Sequence, residues 1–149
     1  METLLQNKKA GFNYEILQKM DAGIELLGLE VKSLRKKLGS LDGAYVTVRG
    51  GEAFLLNAYI PPFQPNNTPK GYDSRQNRRL LLTKNELVEL AKTEGQKGLT
   101  IVPISVYNSG RKIKVEIGIA RGRKNYDKRE VIKKKETDRE IRRTLKNEV

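Results

Sequence analysis

The residues able to do chemistry in this chain are cations, phenols and carboxylates. Thirty Lys and Arg stand against eighteen Asp and Glu, a net charge of +12, with no His and no Cys. Zero Cys excludes disulfides and thiolate metal sites. Zero His removes the commonest general base, so Ser-His and Cys-His nucleophile pairs are impossible. The glycine-containing stretches lack the GK[ST] and GxGxxG spacings of a phosphate-cradling loop. What remains is charge neutralisation and stacking. A sequence pI near 9.9 points to nucleic acid or an anionic membrane surface. Basic side chains interleave with aromatics and small polar groups at Asn7, Lys8, Lys9, Tyr14, Lys114, Arg121, Arg123, Lys124 and Tyr126. Cations of this kind neutralise phosphate, and Tyr stacks on an unpaired base. The carboxylates Glu25, Glu30 and Asp42 are read as surface acids on a basic protein.

The elements that must position these groups fall into a body, 1–120, and a tail, 121–149. The tail holds twelve Lys or Arg against six acids, a net +6, which is half of the excess in a fifth of the length. Its large apolar side chains are Tyr126, Val131, Ile132, Ile141, Leu145 and Val149, too few to bury a core. Lys, Arg and Glu dominate the tail, with no Pro and one Gly. It is expected to be disordered alone and to become a basic helix against a polyanion. There is no apolar run near the length of a membrane span and no signal-peptide pattern at Met1, so the expectation is a cytoplasmic protein with no membrane partner.

Within the body, residues 1–6 read as a leader. Alternation at Phe12, Tyr14 and Ile16 suggests a strand that becomes ambiguous at 17–20. Residues 24–29 read as extended, with bends or bulges at Gly23 and Gly28. Val31, Leu34 and Leu38 make one apolar stripe on a helix over 30–38, stopped at Gly39. The clearest hairpin is 44–60, turning at Gly50-Gly51. A long loop with four prolines spans 61–79, and Leu80, Leu81 and Leu82 read as a short buried run. Thr83 and Glu86 form an S/T-x-x-E capping box for a helix that Gly95 ends. Residues 99–107 and 112–120 read as paired strands around a turn at Asn108-Ser109-Gly110, the second with Ile113, Val115, Ile117 and Ile119 on one face. The fold class is therefore mainly β with short helices. A small, partly open antiparallel barrel plus a basic C-terminal tail limits exposed strand edges.

Five segments resemble the small protein B family, the bacterial partner of transfer-messenger RNA: NKKAGFNY (7–14), DAGIELLGLEVKSLR (21–35), GEAFLLNAYI (51–60), RRLLLTKNEL (78–87) and KVEIGIARGRKNYDKRE (114–130). The likeness runs from Asn7 to about Lys135. It implies an oligonucleotide-binding-type barrel and a non-enzymatic adaptor that needs no cofactor or metal. The adaptor would be a monomer that holds the tRNA-like part of transfer-messenger RNA near its elbow. The resemblance makes Asn7, Lys8, Asp21, Leu81 and Lys114 RNA-binding positions, and Lys32, Arg35, Thr83 and Lys84 in the same segments complete the candidate set. Family tails enter the mRNA channel left empty on a stalled ribosome and become helical there. Tyr126, Asp127, Lys128, Arg129, Lys133, Lys134, Lys135, Arg139, Arg142 and Arg143 are accordingly expected to meet ribosomal RNA around the decoding region. The family often has His or Asn where Thr83 stands, Gly where Lys37 stands, Glu where Asp21 stands and His where Tyr126 stands; an aromatic often found in the tail is replaced near Thr137. Two other classes would produce similar composition, a structural ribosomal protein and a carboxylate-based nuclease.

Overall fold

The structure is a computed structural model that describes residues 2–64, 66, 68–122, 129, 132–134 and 136. Seven strands form one antiparallel sheet: β1 (Glu2–Gln6), β2 (Tyr14–Ile24), β3 (Tyr45–Arg49), β4 (Glu52–Leu56), β5 (Arg78–Leu81), β6 (Leu99–Ser109) and β7 (Lys112–Gly122). Helices α1 (Ala10–Asn13), α2 (Gly28–Arg35) and α3 (Lys84–Glu94) accompany them. The strand order is β1-β6-β7-β2-β5-β4-β3. The sheet is strongly curled, because β3 comes to lie beside β6 without a hydrogen-bonded ladder between them. It is thus an open barrel, as composition and hairpin pattern suggested.

Turn chemistry sets much of this. Arg49 pairs with Glu52 across Gly50-Gly51, whose φ angles of 59° and 76° are those of a primed two-residue turn. Ser109 pairs with Lys112 across Gly110-Arg111, which sets the register of β6 on β7 as far as Ser105, where it shifts by one residue. The inward face of β7 carries Ile113, Val115, Ile117 and Ile119, all buried, as the alternation required. One row shows the core in section: Leu5, Val106, Val115 and Ala22 pair in turn across β1, β6, β7 and β2, and all four are buried. Gly118 lies on the opposite face, where a Cβ would come within 2.9 Å of Ile104 Cδ1 and 3.1 Å of Ile16 Cγ2. Ile104 and Leu17 are the extra residues of bulges in β6 and β2, which bend both long strands around β7.

Several local expectations are corrected. The leader is β1, which pairs with β6 and buries Leu4 and Leu5. Phe12 lies in α1, a single turn too short for periodicity to reveal, and the strand begins at Tyr14 and runs unbroken to Ile24. The second helix starts at Gly28 and ends at Arg35, so Leu38 falls outside it and is exposed. Its stop is a reciprocal pair of bonds, Leu38 N–H to Ser33 O (3.0 Å) and Lys37 N–H to Leu34 O (2.8 Å), with Lys37 itself at φ 61°. The residue whose positive φ closes the helix is therefore Lys37, two positions before Gly39, which is also at positive φ (124°). The loop ends early, since Arg78 and Arg79 open β5. Within the Leu80–Leu82 run, Leu80 is buried but Leu81 faces outward, because a strand turns alternate residues to opposite sides.

Glu30 is also corrected: it is not a surface acid. It and Arg78 are each about 1% exposed in their side chains, and Arg78 Nε lies 2.7 Å from Glu30 Oε2. The same oxygen sits 3.1 Å from the Tyr72 hydroxyl and 3.3 Å from Gln76 Nε2, while Oε1 accepts from Leu27 N–H at 2.8 Å. Arg78 spends its other donors on the carbonyls of Ala58, Gln76 and Ser74. A buried pair is tolerated only when its remaining hydrogen-bonding capacity is filled in this way. The network pins the long loop to α2, and Ser33 Oγ, donating to Pro61 O at 2.6 Å, pins its other end.

Candidate nucleic-acid interface

Strand register assembles the outward face. Thr3 pairs with Tyr107, Tyr107 with Lys114, Lys114 with Gly23, and Gly23 with Leu81. Paired residues in antiparallel strands share a face, so one row crosses five strands, next to the buried row through Val115. Gly23 has no side chain, and a Cβ there would come within 3.2 Å of Leu81 Cβ. The glycine leaves a low point in the row between Lys114 and Leu81. Leu81 is 46% exposed on its far side, an apolar surface that no core requires.

Beside this low point lies a cleft of about 410 Å³ lined by Gly23, Ile24, Leu26, Val31, Arg35, Leu81, Arg111, Lys112, Ile113 and Lys114. Its floor is apolar and its rim holds four cations. No carboxylate lines it. Arg35 Nη2 donates to Arg111 O at 3.1 Å, which ties the end of α2 to the tip of the β6–β7 hairpin. This composition suits a polyanion that also offers flat apolar surface, as an RNA loop does.

The candidate residues divide between two ends of the long strands. Arg35, Leu81 and Lys114 converge on the cleft. Asp21 stands one row away and accepts the Tyr107 hydroxyl at 2.8 Å. Burial of the phenol, and next its bond to Asp21, push its pKa up to about 12. At the other end, Asn7, Lys9 and Tyr14 line a recess of about 250 Å³ with Ala10, Asn13, Gly43, Ala44, Tyr45, Thr100 and Val102. Lys8 is exposed beside them, and Arg121 pairs with Glu15 at the same end. Asn7 also does structural work: its Nδ2 donates to Pro103 O at 2.9 Å and its N–H to Ile104 O at 2.8 Å, which ties the chain to the β6 bulge.

Three candidates join neither group. Lys32 faces another groove with Leu27, Gly28, Leu29, Phe63, Gln64 and Pro69. Thr83 caps α3: its Oγ1 accepts Glu86 N–H at 3.2 Å, and Glu86 Oε1 accepts Thr83 N–H at 2.9 Å. Lys84 is the exposed first residue of that helix. Arg129, Lys133 and Lys134 are exposed with helical backbone. Arg123, Lys124, Tyr126, Asp127, Lys128, Lys135, Arg139, Arg142 and Arg143 lie outside the described residues.

A family model described as SmpB protein matches residues 4–147. The chain belongs to the SmpB family. It is 46% identical over 143 residues to the SsrA-binding protein of Sulfurihydrogenibium sp. (strain YO3AOP1), covering 96% of this chain and 93% of the relative. It is 44% identical over 146 residues to the SsrA-binding protein of Chlamydia muridarum (strain MoPn / Nigg), covering 98% and 96%. A solved structure described as "tmRNA-SmpB: a journey to the center of the bacterial ribosome" superposes with a TM-score of 0.68 at 43% identity, over 81% of this chain and 85% of that one. The SmpB family thus accounts for the open antiparallel barrel and for the resemblance carried by the five segments.

Sequence reasoning missed three residues at this interface. Arg111 and Lys112 line the cleft, and Tyr107 stands in the row with Lys114. Tyr107 was within reach: with two residues in the turn, position 107 must oppose 114. Arg111 and Lys112 had no such signal, because their closeness to Arg35 depends on where α2 packs.

Proposed function

We propose that this chain is an RNA-binding adaptor of trans-translation, which binds the tRNA-like domain of transfer-messenger RNA and brings it to stalled ribosomes. The observation that carries the reading is the cleft: Leu81 and Lys114 flank the side-chain-free low point at Gly23, with Arg35, Arg111 and Lys112 on the rim and no acid among the lining residues. It is supported by relatives named for binding SsrA and by a similar structure described as tmRNA-SmpB in the bacterial ribosome. In this reading cations hold phosphates while Leu81 and its apolar neighbours receive the face of an unpaired base or a sugar. No step requires a proton to move or a bond to break, so a chain without His or Cys suffices. Among the described residues no group of three or more His, Cys, Asp or Glu could hold a metal ion. The tail, with its net +6, would meet ribosomal RNA along a vacant mRNA channel.

The test is affinity for an isolated tRNA-like domain. Lys114→Ala is expected to weaken binding several-fold with an unchanged melting temperature, and the loss should shrink as salt is raised. Equal affinity of both proteins would overturn the assignment. Salt-washed ribosomes separate the alternative, since a structural ribosomal protein would stay bound at one copy per particle and an adaptor would not.

A further inference from the structure

The two walls of the Leu81–Lys114 cleft come from distant parts of the chain. β5 carries Leu81 on one side, and the last turn of α2 carries Arg35 on the other. Residues 25–27 are the whole connection from β2 to α2. They fix where the helix starts and leave its direction to packing. The buried face of α2 is Glu30, Ser33 and Leu34, the i, i+3, i+4 spacing of one helical face. Two of the three are polar, so hydrogen bonds share in seating the helix. Ser33 holds Pro61 in the long loop, whereas Glu30 holds β5 itself through Arg78. Arg78 stands three residues before Leu81, roughly 10 Å along the strand. Glu30 stands five residues before Arg35, about 7.5 Å along the helix axis. Leu26 lines the cleft and also a neighbouring groove of about 460 Å³, where Glu30 and Arg78 are found. The pair thus joins the two walls from behind the cleft. On the rim, Arg35 is exposed and holds Arg111 O at 3.1 Å. That bond competes with water, so it does not by itself place the end of the helix.

We infer that Glu30 and Arg78 are positioning residues for RNA: their buried pair fixes the tilt of α2 against β5, and so the separation of Arg35 from Leu81 and Lys114 across the cleft. The inference rests on the RNA-binding reading above and adds residues that act from behind the site. At about 1% exposure neither side chain can touch the nucleic acid itself. The chemistry accounts for a polar pair at this place. Apolar contact has no preferred direction, so a helix seated by it alone can slide or tilt. A guanidinium presents its donors in a rigid planar fork. Here the fork is held from several sides by Glu30 Oε2 and the carbonyls of Ala58, Ser74 and Gln76. The carboxylate is fixed in turn by Tyr72, Gln76 and Leu27 N–H. The helix therefore has one seat, and Arg35 is in place before a phosphate arrives.

The experiment makes two measurements on the full chain. Because the chain has no Cys, Lys36→Cys and Lys112→Cys give a unique pair of nitroxide labels, one on each side of the cleft mouth. Glu30→Gln keeps the side-chain shape and gives Arg78 an uncharged partner. It is expected to broaden the distance distribution between the labels relative to the parent. The second measurement is affinity of the unlabelled proteins for the isolated tRNA-like domain, below the melting onset of each. Glu30→Gln is expected to weaken binding several-fold and to reduce the slope of log affinity against log salt by about 1, the loss of one phosphate contact. In an Arg35→Ala background it is expected to add little, because the cation it positions is gone. The double variant Glu30→Leu, Arg78→Met removes the pair without leaving a buried charge, and is expected to bind as weakly as Glu30→Gln whatever its melting temperature. Parental affinity in the double variant would overturn the inference and leave the pair a purely structural one. So would an unchanged label distance, or a loss that multiplies in full with Arg35→Ala. Failure of the underlying reading looks different: there the parent protein would not bind the tRNA-like domain, while the labels would still report the seat of the helix.

Discussion

The Tyr107 phenol is held by Asp21 at 2.8 Å, in the row that contains Lys114. Its pKa stands at about 12 against 10.0 for a free phenol, so the folded state keeps this proton more tightly than the unfolded chain does. The stabilisation is therefore fully present below about pH 10 and is lost as pH rises towards 12. Tyr107→Phe should remove this part of the alkaline destabilisation, seen as a shallower fall of melting temperature between pH 10 and 12. Arg78 is the stronger residue-scale dependence. Arg78→Ala would leave Glu30 buried and unpaired, and should cost on the order of 3–5 kcal/mol in denaturant unfolding. These two tyrosine and arginine effects differ because Tyr107 can turn to water, whereas Arg78 is closed in by Ala58, Ser74 and Gln76.

At the scale of elements, α2 shows how a stop can be built from an unfavourable residue. Lys37 holds φ 61°, a region that costs an L side chain roughly 1–2 kcal/mol. The bonds from Lys37 and Leu38 to Leu34 and Ser33 require that geometry. Lys37→Gly should therefore raise stability by about 0.5–1 kcal/mol, the relief of strain minus the added freedom of the unfolded chain. Thermal unfolding of the variant would check it, and a loss of stability would mean the Lys37 side chain contributes elsewhere. The helix end matters for the cleft, because Arg35 reaches Arg111 from the last turn. Element boundaries were the weakest part of the sequence reading for the same reason. Short helices such as α1 have too few residues for a period to show, and only the β6 bulge at Ile104 explains where Asn7 is fastened.

For the whole molecule, the proposed division of labour assigns folded RNA to the barrel and the ribosome to the tail. Deleting 131–149 should leave affinity for the tRNA-like domain largely intact and abolish tagging on stalled ribosomes. Loss of both activities, or of neither, would count against the division. The barrel is suited to its part because the long strands β2, β6 and β7 run its full length and carry different surfaces at their two ends.

The sequence alone determined the chemistry available: cations, phenols and carboxylates, no imidazole, no thiol, and a tail with half the net charge. It also determined the first hairpin, because Gly50-Gly51 fixes its register locally, and alternation along β7 fixes which face is buried; the second turn was placed at 108–110, whereas Asn108 and Ser109 pair within β6 and the chain turns at Gly110-Arg111. The family was legible from five segments for the same local reason, since a motif is read without knowing what it touches. The tertiary structure decided which residues meet. Local pattern put Leu81 in a buried run, against the RNA-binding place the resemblance gave it, and strand pairing turns it outward beside Gly23; Glu30 counted as surface until Arg78, forty-eight positions away, closed over it. Such contacts depend on how the sheet curls and where α2 docks. Those follow from the sum of the packing, which no short window of sequence contains.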